Sequence, residues 1–272
     1  MVLYQTWGCF VATGFLGEEL ALIRREAGRL IELATKQSGC SERPAAPHRF
    51  DDGFAALEKQ NPAAAAAVFG AARRLTSVHQ LSVHPRLLAL SQQLMKTDMV
   101  MSSPYKPVRI DYQSRQERLL PWHQDYPYAQ DSMDAVVYWI PLQDVDNHNG
   151  CVVVAPGSHR SGIYPVTVLK PAEGMPGPRQ LRLADAQAAD PFPHIPVPMA
   201  QGDVLAFSAL LLHRSQTNSS DRVRWTVQIR HGNFEHPSSV EKHWPRGHYE
   251  SHWFDETHPE HVAELVTLPR SG

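Results

Sequence analysis

Two stretches ninety positions apart constrain this chain more than any other feature. One is Trp122-His123-Gln124-Asp125; the other is the apolar run from Asp203 through Leu212 that ends in His213. In an extended strand successive side chains alternate between faces, so His123 and Asp125 point one way and Gln124 the other. A histidine closing an apolar run is costly in a dry core unless something partners it. A metal ion is such a partner. Two imidazoles and one carboxylate on a single face of an octahedral ion make up the ligand set of non-haem Fe(II) oxygenases. A lone His-X-Asp carries little weight in a chain with 15 histidines and 28 acidic residues, where it reads as well as a surface hydrogen-bonded pair. The reading therefore rests on the whole constellation, and any fold that satisfies it must bring position 123 beside position 213.

The remaining pattern is compatible with such a fold. The first hundred residues read as mostly helical. From Glu18 to Lys36, Leu20, Ile23, Ala27, Leu30, Ile31 and Ala34 recur at helical spacing and form a face to lie against a sheet. Asn61-Pro62 reads as an N-cap followed by proline at the first helical position, opening an Ala-rich helix toward Leu75. Another helix follows Pro85 and fades near Lys96. Beyond Val100 the character turns to β, with strands expected over 108–113, 119–125, 134–140, 151–155, 203–207, 210–213 and 225–230. Many short strands separated by turn residues favour a sandwich or barrel over a parallel α/β sheet. Such a barrel gathers residues distant in sequence at one mouth. Between Ser161 and Ala200 lie eight of the 22 prolines, which cannot donate to a ladder, so this stretch is expected to be loop at the rim of a pocket, with Gln180 to Leu183 as an edge strand. The loop from Gln37 to Arg49 is placed over the pocket as well.

Length and charge set limits. A chain of 272 residues fits one domain, read as a helical part over 1–100, a β core over about 100–235 and an extension over 236–272. A net charge of -2 gives no general field toward nucleic acid or an anionic membrane. No apolar run reaches membrane-spanning length, and the start lacks the features of a secretory leader, so the expected location is cytoplasmic. Cys9, Cys40 and Cys151 are odd in number and widely spaced, against both a disulfide framework and a cysteine zinc site. His148, His159 and the later histidines at 236, 243, 248, 252, 258 and 261 share no converging spacing and read as solvated or capping residues.

Leu120-Pro-Trp-His-Gln-Asp125, Trp139, Asn149 through His159, and His213-Arg-Ser-Gln-Thr-Asn218 followed by Arg224 resemble the phytanoyl-CoA dioxygenase family of Fe(II)- and 2-oxoglutarate-dependent oxygenases. The resemblance runs from about Val108 to His231. It implies a mainly β fold with flanking α, namely a double-stranded β-helix (jelly-roll, cupin-like) core under an N-terminal helical layer. It also implies His123, Asp125 and His213 as the catalytic iron ligands, Arg224 as the partner of the distal 2-oxoglutarate carboxylate, and Ser215 and Trp139 as cosubstrate-pocket residues. Fe(II), 2-oxoglutarate and O2 are the implied cofactors. A planar guanidinium suits a carboxylate because it stays ionised and offers two parallel charge-assisted bonds. Arg222 competes for that role, and Arg224 is favoured because the family pattern puts the arginine where the apolar strand begins. Related halogenases carry a small residue where Asp125 stands, so the carboxylate here implies hydroxylation or further oxidation at an unactivated C–H bond, with release of succinate and CO2, while desaturation and ring closure stay open on these ligands.

The expected substrate is a small polar metabolite, without nucleic acid or membrane as partner. Lys106, Arg109, Arg115 and Arg118 precede the metal segment and are available to an anionic substrate, though charges there more often form a solvated hairpin face. Two other classes stay open on the same three ligands: a zinc-dependent hydrolase and a non-catalytic binding barrel. Asn149-Gly150 and Pro156-Gly157 read as turns.

Overall fold

The computed structural model describes residues 2–40, 50–51, 53–112, 119–172, 179–245 and 253–268. Most of the 37–49 loop, Gln113, Arg115, Arg118, His248 and His252 lie outside the described residues.

Helix α1 (Val2–Trp7) and strand β1 (Cys9–Ala12) lead into α2 (Glu18–Gln37), whose expected inner face is buried at Leu20, Ile23, Ala27 and Ile31. Glu18 and Glu19 in its first turn and Lys36 in its last complement the helix dipole. Between α3 (Phe54–Gln60) and α4 (Pro62–Ala72), the Asn61 side chain accepts the Ala64 N–H at 3.1 Å and Pro62 takes a position that needs no donor, as expected. The Ala-rich helix stops at Ala72, short of Leu75, and a separate helix, α5 (Thr76–Ser82), follows it. α6 (Pro85–Met95) ends on Lys96 in the left-handed conformation, φ 54°.

The β part comprises β2 (Val100–Ser102), β3 (Val108–Asp111), the short helix α7 (Tyr126–Ala129), β4 (Val136–Pro141), β5 (Val152–Val154), β6 (Val166–Lys170), β7 (Gln180–Leu183), β8 (Ile195–Val197), β9 (Val204–Ser208), β10 (His213–Arg214) and β11 (Arg224–Asn233). Helices α8 (Pro237–Glu241) and α9 (Phe254–Thr257) and strand β12 (Val262–Thr267) follow. The large antiparallel sheet runs β1-β9-β4-β11-β2, with β3 also paired to β11; a second sheet runs β10-β5-β8 and a third β12-β6-β7. Helices on one face and a smaller sheet on the other cover both sides of the large sheet, the arrangement of a jelly-roll core under a helical layer.

Strand periodicity sorts the two faces. Val136, Tyr138 and Ile140 of β4 and Trp225, Val227 and Ile229 of β11 pack with the helices. Val137 and Trp139 turn inward with Val152, Val154, Leu205 and Phe207. On β11 the inward positions are Arg224, Thr226, Gln228 and Arg230, all buried. A strand buried on both faces thus carries an apolar row outward and a polar row inward, and the polar row faces the site.

Three expectations change. No strand forms over 119–125: one bridge joins His123 to His213, and Asp125 has helical dihedrals (φ -79°, ψ -26°) at the entrance to α7. Pro121 cannot donate to a ladder, and Pro127 suits a first helical turn. The 161–200 stretch lies mostly outside strands and β7 is an edge strand, both as expected, but β6 and β8 add two strands that the proline content did not suggest. β6 lies between prolines rather than containing one, and β8 is an edge strand that tolerates Pro196. The tail adds β12, parallel to β6.

Candidate metal centre

The two histidines meet through their backbones. His123 N–H donates to the His213 carbonyl and His213 N–H to that of His123, both at 3.0 Å. Residues directly opposite in such an antiparallel pair project to the same face; the imidazole centroids lie 4.1 Å apart. The N–H groups of Asp125 and Tyr126 both donate to the Ala209 carbonyl at 3.0 Å, fastening the segment to the turn after β9. Each imidazole is oriented by the carbonyl two residues before it: His123 Nδ1 to Pro121 at 2.8 Å, and His213 Nδ1 to Leu211 at 3.0 Å. A carbonyl only accepts, so Nδ1 carries the proton on both rings and Nε2 presents a lone pair. Asp125 Oδ1 lies 3.7 Å from His123 Nε2 and 3.8 Å from His213 Nε2. His213 Nε2 is buried without a hydrogen-bond partner. An orphaned lone pair facing a carboxylate oxygen is relieved by a cation between them, and this donor set suits Fe(II).

Electrostatics agree with that assignment. Burial, reinforced by His213, pushes the His123 imidazole down to about 3. Burial also lowers His213, so both rings are neutral at neutral pH, as a metal ligand requires. For Asp125, burial acts to raise the pKa, but Arg230 together with His213 and His123 outweighs it and holds the carboxyl below its ordinary range. Arg230 Nε and its terminal nitrogen both reach Asp125 Oδ2 at 2.9 Å, leaving Oδ1 to the imidazoles. Arg230 carried no role in the sequence reading. Its signal was its place six residues after Arg224, on the same face of the same strand.

The proposed cosubstrate residues lie alongside. Arg224, Trp139 and Ser215 line one cavity with His123 and His213. Arg224 is buried, with its guanidinium carbon 5.7 Å from the centre of the Trp139 ring. It hydrogen-bonds Asp111 across the β3–β11 ladder and the carbonyl of Gly150, while its Nε has no partner. Burial would raise the Asp111 carboxyl, but Arg109 and Arg224 prevail and hold it at about 2. Gly150 has φ +85°, and a Cβ there would lie 2.7 Å from the Gln216 carbonyl oxygen, so the turn needs glycine. Ser215 Oγ accepts the Leu120 N–H at 3.2 Å. Arg222 does not line this cavity.

A neighbouring cavity of about 260 Å³ borders His123 and Asp125 and is lined by Phe69, Tyr105, Tyr128 and Arg109, with Gln228 and Arg230 at its β11 wall. Arg109 therefore does not belong to a solvated hairpin; β3 pairs it with Thr226, and it grips Asp111 at 2.9 Å. Lys106 is buried instead, its ammonium donating to the Ser103 carbonyl at 2.8 Å. His236 caps α8 as expected. His258 is not solvated: it is buried, stacked on Phe254 and bonded to the Tyr126 hydroxyl at 2.9 Å.

A jelly-roll core that gathers two neutral imidazoles and a carboxylate beside a buried arginine defines the architectural class of the facial-triad oxygenases. Within that class the chain belongs to the phytanoyl-CoA dioxygenase (PhyH) family, whose sequence model matches residues 4–226. The mouse phytanoyl-CoA dioxygenase domain-containing protein 1 is 30% identical over 111 residues, covering 39% of this chain and 38% of that protein. Rat peroxisomal phytanoyl-CoA dioxygenase is 29% identical over 116 residues, covering 41% and 33%. The matched region thus spans well under half the length of these curated relatives. Among solved structures, the epimerase SnoN in complex with Fe3+ and alpha-ketoglutarate superposes with a TM-score of 0.56 at 20% identity, covering 88% of this chain and 86% of that one. EctD from S. alaskensis, with 2-oxoglutarate and 5-hydroxyectoine, gives 0.54 at 18% identity, covering 85% and 74%. These likenesses establish the fold.

The comparisons also correct the expected cytoplasmic location. Relatives from rat, mouse and cattle are peroxisomal by name. The features behind the expectation bear on secretion and membrane insertion, whereas organelle addresses are short receptor-read signals independent of both. No helix among the described residues is long and apolar enough to cross a membrane.

Proposed function

We propose that this chain is an Fe(II)- and 2-oxoglutarate-dependent dioxygenase that hydroxylates an unactivated C–H bond of a small, polar metabolite. His123, Asp125 and His213 would hold the iron, and Arg224, with Ser215 and Trp139, would hold 2-oxoglutarate. The observation that carries this reading is the buried, unpartnered His213 Nε2 facing Asp125 Oδ1 beside His123. When bound, iron and 2-oxoglutarate supply the oxidation: one atom of O2 goes to succinate, released with CO2, and the other to the substrate C–H bond.

The chain's own residues supply position and dryness. Pro121 and Leu211 carbonyls fix both imidazole tautomers, and Arg230 presents a single oxygen of Asp125 to the centre. With Asp125 present as a ligand, hydroxylation rather than halogenation is the outcome this set supports. Arg224 offers an ionised fork in a buried pocket, already aligned by Asp111 and Gly150. The substrate is a small molecule, and the 260 Å³ cavity beside the triad is where it would sit. Residues 1–272 would act as one domain, a reading supported by the helices, strands and Phe254 of the tail that share the hydrophobic cores among the described residues.

The test is anaerobic. Protein with Fe(II) and 2-oxoglutarate should develop the weak visible charge-transfer band of a chelated 2-oxo acid, and His213→Ala should abolish it. Survival of the band in that variant would make His213 a core residue.

A further inference from the structure

Gln228 stands at the boundary between the two cavities. It lines both the cosubstrate cavity and the 260 Å³ cavity, and His123 borders both with it. Its backbone is held on each side: the N–H donates to the Pro107 carbonyl at 3.0 Å, and the residue lies opposite Trp139 in the β4–β11 ladder. Gln228 is 8% exposed, and its Oε1 accepts from Arg230 Nη2 at 3.2 Å, the same nitrogen that reaches Asp125 Oδ2. A guanidinium only donates, so the amide oxygen is the atom that faces Arg230, and the amide nitrogen is left to the cavity. Among the described residues Nε2 has no hydrogen-bond partner, yet it is not sealed within the wall. A ligand that fills the cavity strips solvent from this donor and must supply an acceptor, or leave a buried donor unsatisfied.

The neighbouring groups narrow the choice of acceptor. The charged side chains of the wall are paired with one another: Asp111 with Arg109 and Arg224, and Asp125 with Arg230. The Tyr128 hydroxyl donates to the Leu181 carbonyl at 2.9 Å. A neutral carbonyl oxygen satisfies the amide without burying a further charge. It also has no proton of its own to place, whereas a hydroxyl would need a second acceptor among carboxylates already engaged. Position separates substrate from cosubstrate. Gln228 touches Arg230, two residues along β11, and stands four residues, roughly 13 Å of strand, from Arg224. We infer that Gln228 is a specificity-determining residue of the 260 Å³ cavity and that the substrate is a small neutral carbonyl compound, a ketone or a tertiary amide, whose oxygen accepts from Nε2. This inference rests on the oxygenase reading above. Phe69, Tyr105 and Tyr128 give the carbon frame an apolar and aromatic wall, and the donor holds the carbonyl end on the side of the cavity that His123 borders.

The experiment measures binding without turnover. The full chain, loaded anaerobically with Fe(II) and 2-oxoglutarate, is titrated with cyclopentanone, cyclohexanone and acetophenone, and with the alkenes that carry a CH2 group in place of each carbonyl oxygen. Calorimetric heat and perturbation of the visible band follow binding. The alkenes match the ketones in shape and lack the acceptor. Two variants remove the donor: Gln228→Met, and Gln228→Glu, which keeps an oxygen for Arg230. The ketone-to-alkene affinity ratio should be roughly three- to tenfold higher in the parent than in either variant, the range of one neutral hydrogen bond. The half-saturating 2-oxoglutarate concentration should stay unchanged. Comparing ratios between proteins cancels the difference in hydrophobicity within each ligand pair. A ratio equal in all three proteins, or ketones that do not bind the parent, would overturn the inference. So would variants in which the 2-oxoglutarate concentration rises by as much as ketone binding weakens, since the amide would then serve the cosubstrate. Failure of the parent to form the band, with the ketone preference intact by calorimetry, would sink the oxygenase reading instead, which keeps the two failures distinct.

Discussion

Arg230→Met separates what this arginine does for folding from what it does for the metal. Arg230 and Asp125 are 5% and 3% exposed, and two guanidinium nitrogens converge on one carboxylate oxygen at 2.9 Å. Removing one member of so buried a pair costs about 3–5 kcal/mol, because it strands the other charge. For a chain of this length 1 kcal/mol corresponds to about 2 °C in melting temperature, so the metal-free variant should melt about 6–10 °C below the parent. A divalent cation at the triad gives Asp125 a second counter-charge, and the deficit should shrink when the ion is bound. The assay is thermal unfolding of parent and variant with and without a redox-inert divalent ion such as Mn2+. The expected signature is a larger metal-induced rise in the variant than in the parent. If the ion raises both by the same amount, Asp125 does not face the metal, and the charge argument for the centre is wrong.

The other predictions concern cosubstrate and pH. Arg224→Ala should raise the half-saturating 2-oxoglutarate concentration by an amount on the order of 2–5 kcal/mol, the cost of truncating one partner of a buried pair; a larger effect from Arg222→Ala, measured by the same titration, would move the role to Arg222. In the metal-free protein, burial first and Lys106 in lesser part hold the His231 imidazole down to about 4, inside its contacts with Ser91 and the Ser82 carbonyl. The unfolded chain takes up this proton near pH 6.5 and the folded chain only near 4, so the contribution is complete above about 6.5 and disappears as pH falls toward 4. The drop in pKa is worth about 3 kcal/mol. Thermal melts from pH 8 to 4 should show a shallower slope in His231→Asn than in the parent; equal slopes would remove His231 from the account.

What was legible in the sequence divides by how local its cause is. The inner face of α2 and the Asn61-Pro62 start of α4 depend on neighbours within a turn or two, and both appear as read. β6 and β12 pair across almost a hundred residues, and β12, largely exposed, carries no apolar stripe to announce it. Arg109 shows the same limit from the other side. Its charge in a presumed hairpin suggested solvent, and only the cross-strand register with β11 turns it inward.

The triad is the instructive case, because the grouping was read from a premise the fold does not use. Strand alternation would align His123 with Asp125, yet Asp125 sits in a helical conformation two residues beyond the bridge. Convergence comes from two separate anchors: the His123–His213 backbone pair, and the shared Ala209 carbonyl that fixes Asp125 and Tyr126. Neither anchor uses a side chain, so a proline at 123, 125, 126 or 213 removes a donor the site depends on, while the buried Gln124 amide, donating to the Leu210 and Gly162 carbonyls and accepting the Tyr164 N–H, ties the same segment to the turn after β9. β11 then completes the centre by ordinary alternation, carrying Trp225, Val227 and Ile229 to the helices and Arg224, Gln228 and Arg230 to the ligands. The same pleat that buries the core row thus fixes the spacing of the charged row, so a register slip of one residue in β11 would place guanidiniums in the apolar core and lose fold and site together.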